Sequence, residues 1–478
     1  MGPQKEDEQL PSPQALLQTI ALAEKADVQP YEEKAVAADL LPATPKAGKV
    51  TGKKNNVATG TTELTLSNGI TVTLKATDFK NDEILMSASR YGGTSHYKQP
   101  DKYNAAYTIS VVNAMGFGSF SPTDLQKALS GKTVSATPFI GGTTEGINGS
   151  STVKDLETMF QLAYLKLTEP RTDSSLFKSY IQKNQTQLAL LGANPQAAFI
   201  DTTFRVFYNN NPLAPIHVPK AAYFDSIQIN RVLEIYKQRL GDARGLHFVF
   251  TGNFKETEII PLIETYIASL PATTGKTHYI DQKVRPVQGK KTLTVYKGEE
   301  QKSLILSFYY GDVPYSEDLA LKANALNEVL NIRILEELRE KVQGIYGGGI
   351  FGGLHKAPYP SFQLIAQLPC GPEKVDTLLK ALQHEISNII KNGPGEENLN
   401  KVKQQWRESH KQEMKENGPW SAHLLAARVE GENIDRFIHF EKYIDRLTPK
   451  DIQDAARLLL NGKNQYTAIL MPADAKKE

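Results

Sequence analysis

Arg339 and Tyr346 are the residues of this 478-residue chain whose types and spacing point most directly to chemistry. They lie seven positions apart in Leu338-Arg339-Glu340-Lys341-Val342-Gln343-Gly344-Ile345-Tyr346-Gly347-Gly348-Gly349. An arginine fork can hold a peptide carbonyl or a carboxylate, and a phenol can donate a hydrogen bond to an oxygen that gains charge during reaction. Both types also have plainer uses. An arginine in a last helical turn offsets the helix dipole, and a tyrosine at a strand start packs. Taken alone, the residues leave both readings open.

The elements that must position the pair are a long helix and the strand after it. From about Leu319 to Lys341, Ala325, Val329, Ile332, Leu335 and Leu338 recur three or four residues apart, which predicts one buried helical face with Arg339 just past it. A turn follows, and a strand is expected over Ile345–Ile350, where three glycines let another backbone or a ligand approach closely.

Further out, the chain reads as two copies of one plan. In the first, Leu64 and Leu66 alternate with polar residues, Asn68-Gly69 predicts a type I′ turn, and Ile70, Val72 and Leu74 alternate again. Strands over 83–89, 133–139 and 247–251 and helices over 103–115, 123–129, 153–167, 182–191 and 228–239 complete it. The second expects strands over 291–296, 303–309, 361–368 and 466–470, with helices over 375–390, 397–415 and 451–460. Tyr91-Gly92 corresponds to Tyr310-Gly311, Lys154-Asp155-Leu156 to Lys374-Val375-Asp376, and Phe248-Val249-Phe250 to Ala468-Ile469-Leu470, each offset by about 220 positions. The expected fold class is α+β: two homologous α/β sandwich domains, each a mostly antiparallel sheet with helices packed on one side. The expected divisions are a linker or tail over 1–58, a first domain over 59–275, an interdomain linker over 276–290, and a second domain over 291–478 that carries the Arg/Tyr pair. Within 1–58 a short helix is expected from Ser12 to about Lys25. Pro30, Pro42, Pro45 and the Lys, Gly, Thr and Asn of 49–60 then read as linker chemistry.

Composition removes several function classes. Lys plus Arg is 55 against 53 for Asp plus Glu, so no general binder of nucleic acid or anionic membrane is expected. The single cysteine, Cys370, makes no internal disulfide and leaves the compartment open. No run of about 18 apolar residues offers a membrane span. The polar, acidic amino terminus lacks the basic and then apolar pattern of a signal peptide and reads like a start cut into a longer chain.

Simple catalytic motifs fail. His384-Glu385 opens a zinc-like pair, but Asn388 stands where the second histidine belongs. His410 and Glu413 form H-x-x-E with Met414 in the place of the closing histidine, and the segment reads as a solvated helix face. Gly131-Lys132-Thr133 lacks the first glycine of a P-loop because Gln126 occupies it. Gly347-Gly348-Gly349-Ile350-Phe351-Gly352 matches G-x-G-x-x-G in letters but lies in a strand after a helix, the reverse of a dinucleotide site.

Thr65-Leu66-Ser67-Asn68-Gly69-Ile70-Thr71-Val72 resembles the opening hairpin of the pitrilysin, insulysin and mitochondrial processing peptidase family of zinc metallopeptidases. Ser130–Ser135, Asp155–Thr158, Pro170–Asp173 and Leu338–Lys341 are similar to the carboxy-terminal half of its long bacterial two-half members. The resemblance covers about residues 35 to 475. It implies four similar domains in two halves that close around a peptide chamber. The first half carries an inverted H-x-x-E-H zinc site and the second is a degenerate copy. At the position of the zinc helix this chain has Asn104-Ala105-Ala106-Tyr107-Thr108-Ile109-Ser110, and the later acids Glu145 and Glu157 have nothing to coordinate with. The resemblance therefore implies a non-catalytic half with no catalytic residue, metal or cofactor of its own, and zinc in a missing or partner half. Arg339 and Tyr346 match the family's substrate-binding pair in type and spacing. The implied partners are a peptide substrate and a zinc-bearing amino-terminal half or subunit. The alternative is a standalone inactive scaffold subunit of a heteromeric complex. The compartment is unknown, with the periplasm or cell envelope suggested by resemblance alone.

Overall fold

Asn68-Gly69 turns the chain between two strands in a computed structural model that describes residues 11–26, 39–334, 336–337 and 347–477. The turn is not type I′, which needs positive φ at both residues. Here only Gly69 is left-handed, at φ +82°. Asn68 is held instead by its side chain, which donates to Ile267 O at 2.9 Å and Leu270 O at 3.1 Å.

The chain divides into two compact units, 1–38 and 39–478. The described part of the first is the helix Pro13–Glu24, capped by Ser12 Oγ, which accepts from Ala15 N at 3.1 Å. Everything below concerns the second unit.

Its first sheet holds β1 (Val50–Asn56), β2 (Thr61–Leu66), β3 (Thr71–Ala76), β4 (Ile84–Tyr91), β5 (Val134–Ile140), β6 (Thr144–Ser151) and β7 (His247–Gly252), in the order β1-β2-β3-β7-β4-β6-β5. The second holds β8 (Lys290–Tyr296), β9 (Ser303–Asp312), β10 (Gly349–His355), β11 (Ser361–Cys370) and β12 (Gln465–Met471), in the order β10-β11-β9-β12-β8. Read from the other edge, this is β8-β12-β9-β11-β10, the arrangement of β3-β7-β4-β6-β5. In both sheets the pair β3–β7 or β8–β12 is parallel and the remaining neighbours are antiparallel. The sequence repeat is thus a repeat of topology.

Two features of the amino-terminal stretch were not evident from its composition. Leu40 and Leu41 are buried, and Val50–Asn56 pairs with β2 as an edge strand although its side chains are mostly exposed. The segment 276–290 is also tied down. Ile280 N donates to Ser95 Oγ at 3.1 Å, Gln282 Nε2 donates to Ser95 O and Tyr97 O, and Val287 N donates to Phe207 O at 2.8 Å.

The central strands are apolar on both faces because both are covered. On β9, Ile305 and Tyr309 join the core under the helices Glu317–Ile334, Val375–Asn392 and Pro449–Leu459. Leu304, Leu306, Phe308 and Tyr310 face the other way, against Phe199 and Phe207 of the helix Pro195–Phe207. That helix belongs in sequence to the first repeat. Reciprocally, the helix Asn417–Val429 of the second repeat lays Trp420 and Leu424 on Val249 of β7. Hydrogen bonds fix the exchange: Thr77 Oγ1 to Asn417 Oδ1 at 2.6 Å, Asn417 Nδ2 to Glu83 Oε2 at 2.9 Å, and Tyr466 OH to Thr203 O at 3.2 Å. The two helices start 222 positions apart, at 195 and 417, and end 222 apart, at 207 and 429. Each repeat therefore covers the open face of its sister's sheet.

Candidate functional site

Arg339 and Tyr346 lie outside the described residues, so the site is built from the elements that lead into and out of that stretch. The helix Glu317–Ile334 enters it, and β10 leaves it at Gly349. The described part of the expected strand 345–350 begins later than its sequence predicts: Gly347 is in a bend, Gly348 is at φ +121°, and the ladder runs from Gly349 to His355.

The glycines serve packing inside the sheet. A Cβ on Gly348 would stand 2.3 Å from Gln367 O of β11, one on Gly352 would stand 2.0 Å from Gln363 O, and one on Gly349 would stand 2.7 Å from Asn331 Oδ1. The backbone that approaches this strand is its own neighbour, and among the described residues nothing stands within 4 Å of a Cβ placed on Gly347.

Two asparagines on the helix hold β10 at its outer edge. Asn331 Oδ1 accepts from Ile350 N at 2.7 Å, and its Nδ2 donates to Ile350 O at 3.1 Å, reproducing the paired bonds of a neighbouring strand. Asn327 Nδ2 donates to Gly352 O at 2.9 Å. At the helix end Arg333 Nε donates to Glu385 Oε2 at 2.6 Å, in a pair whose carboxylate side chain is 4% exposed. So both sides of the Arg339–Tyr346 stretch are anchored, on one side by an ion pair and on the other by a side-chain clamp. The sequence reading missed these residues. A signal was present, because asparagine is a poor interior helix former, and two of them on one helix flanked by Leu326, Val329 and Leu330 imply a partner for each amide.

The equivalent outer strand of the first sheet is blunted by other means. Lys166 Nζ donates to Ala136 O at 2.8 Å, and Pro138 in β5 has no N–H to offer. At these positions neither outer strand presents a free ladder to an added peptide strand.

The residues at the zinc-helix position do not fit a metal. Asn104 Oδ1 accepts from Gln228 N at 2.8 Å, at the start of the helix Ile229–Leu240, and Thr108 Oγ1 donates to Asn104 O. Glu145 is fully buried between two arginines, accepting from Arg90 Nε at 2.8 Å and from Arg239 Nε at 2.6 Å, and also from Gly93 N. Burial pulls Arg90 below its ordinary pKa against the pull of Glu145. Glu157 accepts from Tyr266 OH at 2.8 Å. Glu385, from the failed H-E pair, is committed to Arg333. Among the described residues no three His, Cys, Asp or Glu side chains are grouped so as to hold a metal ion. Cys370 is buried, and burial pushes its thiol up to about 11, which makes it a poor nucleophile. Among the described residues no helix is long and apolar enough to cross a membrane.

Residues 226–406 match the family described as the peptidase M16 inactive domain. Over 475 residues the chain is 22% identical to a zinc protease PQQL-like protein of Arabidopsis thaliana, covering 95% of this chain and 45% of that one. Its fold is similar to that of the periplasmic protease PqqL from Escherichia coli, with a TM-score of 0.79 at 18% identity, over 96% of this chain and 51% of that one. It is also similar in fold to the ferredoxin protease FusC, solved in complex with Arabidopsis ferredoxin, with a TM-score of 0.77 at 17% identity, over 97% and 51%. The chain spans about half the length of the curated relatives it matches.

Proposed function

From the premise that this chain is homologous to PqqL-like zinc proteases and carries the M16 inactive domain, we propose that it is the non-catalytic carboxy-terminal half of a zinc metalloendopeptidase. It closes a peptide chamber and binds the substrate, while an amino-terminal half, on the same chain or a separate subunit, performs the proteolysis. The observation that carries this reading is one of coverage: 95% of the chain aligns with 45% of a zinc protease, and Asn104 at its own zinc-helix position and the later acids Glu145 and Glu157 are bound up in structural contacts. Periplasmic residence is part of the proposal, on the strength of the PqqL likeness.

In this reading Tyr346 donates a hydrogen bond to the scissile carbonyl oxygen as charge develops there, and Arg339 holds an adjacent peptide group. The helix Glu317–Ile334 and β10, which flank the stretch that carries the pair, are themselves anchored. On β10 and β5, Ile350, Gly352 and Ala136 are already paired, so at those positions the chain grips the peptide with side chains and not by adding it as a strand.

The test is reconstitution. The chain alone should leave a peptide uncut, and addition of a zinc-bearing half should produce cleavage. Loss of one oxyanion donor costs on the order of a hundredfold or more in kcat, so Tyr346→Phe should lower the reconstituted rate by that factor. Cleavage unchanged by both Tyr346→Phe and Arg339→Ala removes the site assignment. No cleavage under any pairing with a zinc half favours the scaffold-subunit alternative.

A further inference from the structure

The helices Glu396–Glu413 and Asn417–Val429, the segment 432–443 and the first turns of the helix Glu317–Ile334 surround a cavity of about 270 Å³. That is below the roughly 300–1,000 Å³ of sites for drug-sized ligands and suits a single side chain. Its walls include the rings of Phe437, which stacks on His423 at 4.1 Å, of Phe440, and of Tyr443, over which the Arg436 guanidinium lies at 4.3 Å. Three carboxylates line it, Glu317, Glu413 and Glu432. The cation beside them, Arg436, is taken up by Asp318 at 2.6 Å and Glu317 at 3.5 Å. Glu432 accepts only a long 3.4 Å hydrogen bond from Tyr315 OH, and Glu413 makes no ion pair or side-chain hydrogen bond among the described residues.

The residue that distinguishes this cavity from an ordinary acidic patch is His410. It is 6% exposed and lines the cavity, with its ring edge-on to Phe437 at 5.5 Å and tilted against Phe440 at 5.3 Å. Its imidazole has no hydrogen-bond partner among the described residues, so its ring is free to bond a guest in the cavity. Burial holds His410 below its ordinary pKa, so near neutral pH it is uncharged and offers one ring nitrogen as an acceptor.

We propose that this cavity is a binding site for the cationic side chain of a peptide, with arginine preferred over lysine. Glu413 and Glu432 neutralise the guanidinium, His410 accepts one of its N–H groups, and the ring of Phe440 borders its planar face. Arginine is preferred because its fork supplies several donors in fixed directions and stacks on rings, whereas an ammonium is a strongly hydrated point charge. The inference rests on the peptide-binding reading above for its substrate class, and it makes this chain a source of preference for basic peptides.

The purified chain is titrated by calorimetry with a capped pentapeptide that has one central arginine, and with the same peptide carrying citrulline, which keeps the shape and removes the charge. Binding of the arginine peptide at least tenfold tighter, about 1.4 kcal/mol, is expected. The double variant Glu413→Gln, Glu432→Gln should erase that difference, and its far-ultraviolet dichroism should match the parent. Equal affinity for the two peptides, no binding of either, or a difference that survives in the double variant overturns the proposal. In the reconstituted protease, a substrate without arginine or lysine should be cut equally well with parent and double variant. Failure of that cleavage with the parent chain counts against the chamber reading and leaves the calorimetric result to decide the cavity.

Discussion

Replacing Asn331 with alanine should weaken the fold and slow the reconstituted protease together. Asn331 makes two bonds to Ile350, accepting from its N–H at 2.7 Å and donating to its carbonyl at 3.1 Å. Ile350 is itself buried, so truncation leaves two backbone groups without partners. A stranded buried group costs about 1–3 kcal/mol, which for two groups puts the loss at about 2–6 kcal/mol. Against a total of about 5–15 kcal/mol for a folded domain that is easily measured. Urea titration followed by circular dichroism should show a lower midpoint at unchanged slope. Ile350 follows Tyr346 by four residues, and a displacement of about 1 Å at a group that must meet a reacting atom costs up to about a hundredfold in rate. So kcat/KM should fall by one to two orders of magnitude at a concentration of variant chain that saturates the zinc half. Asn331→Asp keeps the acceptor but sets a carboxylate oxygen against Ile350 O, and it should be about as damaging as alanine. A stability loss with unchanged cleavage would refute the idea that the clamp positions the site. No change in either would refute the clamp itself.

Phe207 packs on Phe308 at 4.8 Å, Tyr310 at 4.9 Å and Tyr466 at 5.7 Å across the exchanged helix, and it is fully buried. Phe207→Ala should cost about 3–5 kcal/mol, and both tryptophans, Trp406 in the second repeat and Trp420 on the first sheet, should report one shared unfolding transition. Two separated transitions in the parent chain would show that the exchange does not couple the repeats. His247 is buried between Thr71 Oγ1 at 2.7 Å and Thr73 Oγ1 at 3.0 Å, and burial, with Arg428 adding to it, lowers its pKa to about 3. Between pH 6.5 and about 3 the unfolded chain takes up a proton that the folded chain refuses. Stability contributed by His247 is therefore complete above pH 6.5 and drains as pH falls, by up to about 1.4 kcal/mol per unit. Urea midpoints at pH 7, 6 and 5 should fall less steeply for His247→Asn, and parallel slopes would rule this residue out as a cause.

How much of this was legible in the sequence follows from the range of the forces involved. The hairpin at Asn68-Gly69 and the helix opening at Ser12 are written locally in turn and capping residues, and both were found, though the side chain of Asn68 reached across to Ile267 and Leu270 and changed the turn type. The repeat was visible because three matched segments kept one offset. The two helices that bind the repeats together, Pro195–Phe207 and Asn417–Val429, went unread. Their apolar residues answer to sheets more than a hundred positions away in sequence, and periodicity states that a face is buried without stating against what. By composition β1 reads as linker, because an edge strand held by backbone pairing needs no apolar alternation, and Val50–Asn56 has little. Of the site, the Arg/Tyr pair came from residue type and family likeness, whereas the asparagine clamp required knowing which strand the helix lies on.

In the proposed enzyme the exchange of helices also decides where the chamber can open. Drawing the two sheets apart would expose Phe207, Phe308 and Tyr466 on one side and Val249, Trp420 and Leu424 on the other, all buried in the folded chain. At about 1.5–3 kcal/mol for each large apolar side chain taken out of water, those six alone cost roughly 9–18 kcal/mol, as much as the whole stability of a typical domain. The linker adds to this, with Arg285 held by Asp281 and stacked 3.4 Å from the ring centre of Tyr359, and Val287 bonded to Phe207 O. A motion that admits a peptide at thermal cost cannot run along that seam. In the proposed enzyme the two repeats of this chain move as one wall, and the opening falls at their boundary with the zinc-bearing half.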